Sequence, residues 1–81
     1  MAQVEIFSGP HCAYCEQAKA LMARSQIPYT EYSIADPVHA REFARRLPRV
    51  RSIPQIFVGG KHIGNDQDLA EMVAAKFFDQ N

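Results

Sequence analysis

Cys12 and Cys15, separated by two residues, are the side chains of this sequence best suited to chemistry. They are the only cysteines in the chain, so they cannot join distant segments as a secreted disulfide framework does. In a reducing compartment a local pair of this kind usually performs redox chemistry or binds a metal ion. A thiolate attacks disulfides, and a second cysteine about one helical turn away can resolve the mixed disulfide that forms. The spacing therefore favours thiol-disulfide exchange.

Two other interpretations of the pair are open. Free cysteine is often buried as a small apolar residue, so both could be inert core residues. A Cys-x-x-Cys pair near a strand-helix crossover is, however, typical of a redox motif. A structural zinc site would need four ligands, and His11, His39 and His62 lack the paired spacing that zinc folds use. Both observations favour redox chemistry.

The residues around the pair predict a strand followed by a helix. Residues 3–8 are rich in strand formers and stop at Gly9-Pro10, which is typical of a strand and a sharp loop. Residues 13–24 place apolar side chains on one face, which predicts an amphipathic helix. Cys12 then lies at the helix start, where unpaired backbone N–H groups and the helix dipole favour a thiolate. Cys15 lies deeper in the helix and is expected to be less exposed.

The rest of the chain predicts a second strand and helix, a β-hairpin and a last helix. Asp36-Pro37 is typical of an N-cap followed by the first helical residue. Gly59-Gly60 is typical of a two-residue hairpin turn. The order β-α-β-α-β-β-α predicts an α/β fold with one four-stranded mixed sheet flanked by helices. The predicted strands are residues 29–34, 55–58 and 61–63, and a helix is predicted from residue 37 to about 47. A last helix is predicted from about Asp66, with a buried stripe formed by Leu69, Met72, Val73 and Phe77.

Composition narrows the classes of partner. With 81 residues the chain is expected to form a single domain over 1–81, and its formal net charge of zero offers no broad field for nucleic acid. No apolar run approaches the roughly 20 residues that a membrane crossing needs. The N-terminus lacks a basic stretch followed by a hydrophobic segment, so we expect a cytoplasmic protein.

Three ordered blocks carry a resemblance to a known family. They are Cys12-Ala13-Tyr14-Cys15, then Ser52-Ile53-Pro54-Gln55-Ile56-Phe57, then Gly60-Lys61-His62-Ile63-Gly64 ahead of Asp66 to Leu69. Together they resemble the glutaredoxin family of the thioredoxin fold over nearly the whole chain. The resemblance implies a thioredoxin-like fold and an enzyme that uses glutathione as co-substrate to reduce glutathione mixed disulfides and protein disulfides.

The resemblance also implies roles for individual residues. Cys12 would attack the mixed disulfide, and Cys15 would resolve protein disulfides. Pro54 matches the family's cis-proline, which holds the backbone of Ile53 outward to pair with glutathione like an added strand. Arg41 matches a position that binds the glycine carboxylate, and Gln67 and Asp68 match the segment that holds the γ-glutamyl end, supported by free N–H groups at the start of the last helix. The implied glutathione site comprises Tyr14, Arg41, Ser52, Ile53, Pro54, Gly64, Asp66, Gln67 and Asp68.

Two departures from the family pattern concern charge. Gly9 replaces the lysine usually found three residues before the nucleophile, and Arg49 and Arg51 offer a compensating positive rim. In the segment 65–68 the family tends to have a glycine, and two adjacent acids after the residue that matches Asp66, so the first of these acids is lost here. The weakened glutathione motif leaves a further hypothesis, a redoxin that donates electrons to ribonucleotide reductase and is recharged by a flavin-dependent thioredoxin reductase.

A third departure concerns metal. Ala13 replaces the proline that is common between the two cysteines. Family members without that proline include some that assemble a two-iron two-sulfur cluster between two subunits, with glutathione as extra ligands. A cluster-binding dimer with Cys12 as ligand is therefore the alternative to catalysis. Without a cluster, the resemblance implies a monomer that holds no metal.

Overall fold

Within residues 2–79, four strands and three α-helices follow one another in the predicted order, so the predicted α/β fold is confirmed. The computed structural model describes residues 2–79, and the predicted domain range 1–81 extends beyond them at both ends. None of the helices within that described span combines the length and hydropathy that a membrane crossing requires. The elements are β1 Val4–Ser8, α1 Ala13–Arg24, β2 Thr30–Ser33, α2 Pro37–Arg46, β3 Gln55–Val58, β4 Lys61–Gly64, α3 Asp66–Ala74 and a final 3-10 turn Phe77–Asp79.

The sheet brings several loops to one of its ends. Its strand order is β2-β1-β3-β4, with β1 parallel to β2 and antiparallel to β3, and β4 antiparallel to β3. Phe7 near the end of β1 pairs with Gln55 at the start of β3, and Gly64 at the end of β4 pairs with Ile56. The segments that follow β1, precede β3 and follow β4 therefore emerge at the same end of the sheet.

Each face of the sheet has its own hydrophobic core. On the face covered by α1 and α3, Ile6 and Ile56 pack with Met22 and Leu69, and all four are fully buried. On the face covered by α2 the core is aromatic and comprises Phe7, Phe43 and Phe57. The ring centroids of Phe7 and Phe43 lie 5.3 Å apart in an edge-to-face arrangement, which aromatic pairs prefer.

The end of α3 differs from the prediction. Leu69 is fully buried and Met72 and Val73 are half-buried, but Phe77 is 45% exposed and lies outside the helix. The prediction of Phe77 in the buried stripe is therefore wrong. The physical reason is that Lys76 adopts a left-handed conformation with φ 61°, which ends the 3.6-residue period. Phe78, one residue later, packs against the core instead.

A charged network on the α2 face ties that helix to the sheet. The guanidinium of Arg46 donates to Glu5 at 3.2 Å and to Glu42 at 2.6 Å, and Tyr32 donates to Glu5 at 2.9 Å. Arg46 also lies 4.9 Å over the ring of Phe57. The hydrogen bond from Arg46 lowers the pKa of Glu5, against the opposing effect of burial, so the carboxylate stays charged inside the protein.

Candidate active site

The sulfur of Cys12 stands at the amino end of α1. Cys12 is the N-cap, with extended backbone angles, and its Sγ accepts a hydrogen bond from the backbone N–H of Cys15 at 3.1 Å. N-cap side chains satisfy N–H groups that have no partner within the helix. Cys12 is half-buried while Cys15 is fully buried, as expected from its deeper position. Of the two residues, only Cys12 has surface exposed to solvent.

The two cysteines form a disulfide in this structure, with their Cα atoms 5.2 Å apart. Within residues 2–79 no cysteine is left free. The N-cap position allows both states of the pair, since a reduced Cys12 would keep the same backbone donors around its sulfur.

The loop before β3 supplies the second wall of the site. The Ile53–Pro54 peptide bond is cis, as the resemblance implies, and Pro54 is buried. The carbonyl oxygen of Ile53 lies 3.9 Å from Cys12 Sγ. A β-carbon at Gly9 would lie only 2.8 Å from Cδ1 of Ile53, so the absence of a side chain at Gly9 makes room for Ile53 beside the sulfur.

The start of α3 forms the third segment at this end of the sheet, and it corrects one expectation. The side chain of Asn65 accepts from the backbone N–H of Gln67 at 3.0 Å and of Asp68 at 3.2 Å. The Asp68 carboxylate in turn accepts from the N–H of Asn65 at 3.0 Å, which completes a capping box. The prediction of free N–H groups at this helix start is therefore wrong for Gln67 and Asp68, because Asn65 already caps them. Asp66 is the first residue of this helix.

Gly64 joins β4 to that capping box. Its φ of 123° lies where glycine is favoured, and a β-carbon there would collide with the carboxylate of Asp68. Glycine at this position therefore lets the capping box close.

The remaining predicted residues lie on the surface. Tyr14 is 61% exposed between the two cysteines, and Ser52 is exposed next to Ile53. Arg41 is exposed on α2, which packs on the opposite face of the sheet from α1 and α3. Among residues 2–79 Arg41 makes no side-chain hydrogen bond or ion pair, and its contact with glutathione stays a prediction.

Lys19 anchors the helix that carries the cysteines. Its Nζ lies 2.9 Å from Glu31 on β2 and 2.9 Å from Glu16 on its own helix. The hydrogen bonds to Glu31 and Glu16 raise the pKa of Lys19 to about 12. Ser8, at the end of β1, donates to Glu31 at 2.6 Å. Glu31 therefore joins the helix to the strand that leads into Cys12.

Two residues that sequence reasoning left without a role support the cis-proline loop. Gln55 Nε2 donates to the carbonyl oxygen of Ser52 at 3.1 Å and lies 3.3 Å from its hydroxyl. Gln55 Oε1 lies 2.7 Å from His62 Nε2. The signal in the sequence was a glutamine in a strand that is otherwise apolar, since a buried amide needs partners.

A metal ion has no preformed site in the part of the chain that the structure covers. Residues 2–79 contain no group of three or more histidine, cysteine, aspartate or glutamate side chains arranged to hold one.

Comparison with known proteins gives a consistent family. A family model described as Glutaredoxin matches residues 4–63. A probable glutaredoxin of Synechocystis sp. is 39% identical over 69 residues, which cover 84% of this chain and 78% of that protein. The solution structure of glutaredoxin from Brucella melitensis has a TM-score of 0.77 at 36% identity, covering 98% of this chain and 86% of that one. The buckwheat glutaredoxin-glutathione complex has a TM-score of 0.80 at 26% identity, covering 93% and 71%. Because the family match includes the Cys12–Cys15 pair and its strand-helix setting, the chain belongs to the glutaredoxin family of thiol-disulfide oxidoreductases.

Proposed function

We propose that this protein reduces glutathione mixed disulfides and protein disulfides with glutathione as its electron donor. The observation that carries the proposal is the position of Cys12 Sγ, which accepts from the N–H of Cys15 at 3.1 Å and lies 3.9 Å from the backbone carbonyl of Ile53. The helix start stabilises a thiolate there. The backbone of Ile53 beside it offers an edge along which an extended tripeptide can pair.

Reduction of a glutathione mixed disulfide needs only Cys12. Its thiolate attacks the glutathione sulfur, the substrate disulfide breaks, and the substrate sulfur leaves as a thiolate that takes up a proton. A second glutathione thiolate then attacks the glutathione sulfur bound to Cys12. Glutathione disulfide leaves, and the Cys12 thiolate is restored.

Reduction of a protein disulfide also uses Cys15. Cys12 attacks the substrate, and Cys15 displaces it by forming the Cys12–Cys15 bond that joins these residues in the structure. Two glutathione molecules then reduce that bond and leave as glutathione disulfide. The reaction suits the geometry because Cys15 is buried behind Cys12 and meets the substrate only through it.

We propose that glutathione lies across the segments that meet at this end of the sheet. Tyr14 would flank the sulfur, Ile53 would pair through its backbone, and Asp66 would lie near the γ-glutamyl end. The glutathione complex of the buckwheat relative supports this choice of co-substrate. The residues of the proposed site are Tyr14, Arg41, Ser52, Ile53, Pro54, Gly64, Asp66, Gln67 and Asp68.

Separate variants of the two cysteines test the mechanism. On a glutathionylated peptide, Cys12→Ser is expected to abolish turnover because it removes the nucleophile, while Cys15→Ser keeps a large part of it. On a protein disulfide both variants are expected to be inactive. Full activity of Cys12→Ser on the glutathionylated peptide would end the proposal.

The electron donor is tested by comparing two recycling systems. Turnover is expected with glutathione and glutathione reductase, and a rate seen only with thioredoxin reductase would overturn glutathione as donor. We propose a cytoplasmic location, where the glutathione pool is reducing. Ribonucleotide reductase, a disulfide-forming enzyme, is a proposed protein substrate for the same assay.

Cluster carriage is the second candidate, favoured by Ala13 as the exposed first residue of α1. An alanine retains a backbone N–H at the helix start that a proline would remove. The test is to reconstitute the protein anaerobically with iron, sulfide and glutathione. A brown dimer that Ala13→Pro suppresses would support the cluster, and a colourless monomer would exclude it.

A further inference from the structure

A chain of hydrogen bonds runs from an edge strand to the cis-proline loop. It begins at His62 on β4, passes through Gln55 at the start of β3 and ends on Ser52. Gln55 is only 5% exposed, so each of its amide atoms needs a partner. The chain supplies those partners, with the His62 contact at 2.7 Å and the Ser52 carbonyl contact at 3.1 Å.

The donors and acceptors fix the direction of this chain. The carbonyl oxygen of Ser52 can only accept, so the NH₂ group of Gln55 must face it. The amide oxygen of Gln55 then faces His62, and the imidazole must donate from Nε2. The neutral Nε2–H tautomer and the imidazolium both provide that donor. His62 thereby prevents the Gln55 amide from turning over.

Packing holds His62 in place. It pairs with Phe57 across β3 and β4, and opposite residues of an antiparallel pair share a face. The His62 and Phe57 rings lie 5.2 Å apart. Gln55 precedes Phe57 by two residues and therefore points to the same side of the sheet.

The anchored carbonyl sets the direction of the neighbouring N–H. The Ser52–Ile53 peptide bond is trans, since the cis bond falls one residue later. In a trans peptide unit the C=O and the N–H point in opposite directions. The hydrogen bond from buried Gln55 orients the Ser52 carbonyl toward Gln55. The N–H of Ile53 therefore points away from Gln55.

We propose that Gln55 and His62 are positioning residues that aim the backbone of Ile53 at the glutathionyl group of the substrate. The inference rests on the proposed function, because Ile53 matters only if its backbone pairs with glutathione. Neither side chain touches the reacting sulfur atoms. Both act through the orientation of the peptide unit beside Cys12.

The test compares two disulfides that react with the same sulfur. Glutathione disulfide has peptide groups that can pair with Ile53, whereas bis(2-hydroxyethyl) disulfide has none. Gln55→Met removes the amide at similar volume, and His62→Phe keeps the stacking on Phe57 while removing the donor. Each is expected to lower the rate constant for reduced protein with glutathione disulfide about tenfold. The rate with bis(2-hydroxyethyl) disulfide and the alkylation rate of Cys12 by iodoacetamide should change less than about twofold.

Two further variants control the comparison. His62→Gln restores a donor and should recover most of the rate that His62→Phe loses, while Lys61→Gln alters an exposed neighbour and should match the parent protein. If Gln55→Met does not fold, His62→Phe carries the test because Gln55 stays in place. Equal losses with both disulfides, or no loss with either, would overturn the inference. A parent protein with no preference for glutathione disulfide would instead overturn the proposed function.

Discussion

At the scale of the residue, Glu5 shows how a charge is kept inside a small domain. It lies on the central strand β1, and Arg46 and Tyr32 occupy its carboxylate oxygens. Removing one partner of a buried ion pair leaves the other charge without compensation. This destabilises the protein by more than the intact pair stabilises it. The position of Arg46 over the rings of Phe7 and Phe57 adds packing that would be lost with the charge.

Arg46→Met is therefore expected to lower the free energy of unfolding by about 2 kcal/mol at pH 7, as measured by urea denaturation. Arg46 lowers the pKa of Glu5 below 4.5, so this stabilisation is present above about pH 4.5 and is lost as the pH falls through the lowered value. The difference in the free energy of unfolding between Arg46→Met and the parent protein should therefore become smaller at low pH.

The matched control for this prediction is Arg45→Met. Among the described residues Arg45 pairs only with Glu42, and its side chain is 71% exposed. Its loss should leave the midpoint of unfolding nearly unchanged. Equal effects of the two substitutions would show that the buried pair has no special role.

At the scale of the element, α3 depends on its first turn because it is only 9 residues long. Short helices gain little from propagation, so capping and packing decide whether they form. Asn65→Ala removes the acceptor for two backbone N–H groups and is expected to cost about 1 kcal/mol. The melting temperature should fall by roughly 4–8 °C in a domain of this size.

Asn65→Ser separates capping from other roles of the side chain. Serine is also a good N-cap residue, so this variant should melt near the parent temperature. If it melts as low as Asn65→Ala, the side-chain acceptor is not what stabilises the start of α3.

At the scale of the whole molecule, stability depends on a thin core on each side of one sheet. A chain of 81 residues buries a smaller share of its surface than a larger domain does. Leu69→Ala, at a fully buried position, is expected to lower the free energy of unfolding by about 3 kcal/mol. Phe77→Ala should cost less than about 1 kcal/mol despite its larger side chain, because Phe77 is 45% exposed. A larger loss at Phe77 would contradict the corrected end of α3.

The sequence predicted the elements better than their contacts, for a physical reason. Gly59-Gly60, Asp36-Pro37 and the hydrophobic periods are local signals, and the hairpin turn, the α2 N-cap and the element order all follow them. The end of α3 has no such signal, since Lys76 takes a left-handed conformation without being glycine.

Contacts between distant residues are not encoded in any local pattern. Glu5 and Arg46 are separated by 41 positions, and nothing in either segment marks the other as its partner. Asp66 and its neighbours are all possible caps of α3 in the sequence, and the structure identifies Asn65 as the N-cap. Gln55 is the exception, because its isolation in an apolar strand could have marked it as a structural amide.

The double role of Cys12, as cap of α1 and as accessible sulfur, makes two inactive variants informative. Serine caps helices well and alanine does not, so Cys12→Ser and Cys12→Ala lose the same thiol and the same disulfide but differ in how α1 begins. The difference between their free energies of unfolding would give the contribution of a capping atom at this helix start, free of any contribution from sulfur chemistry.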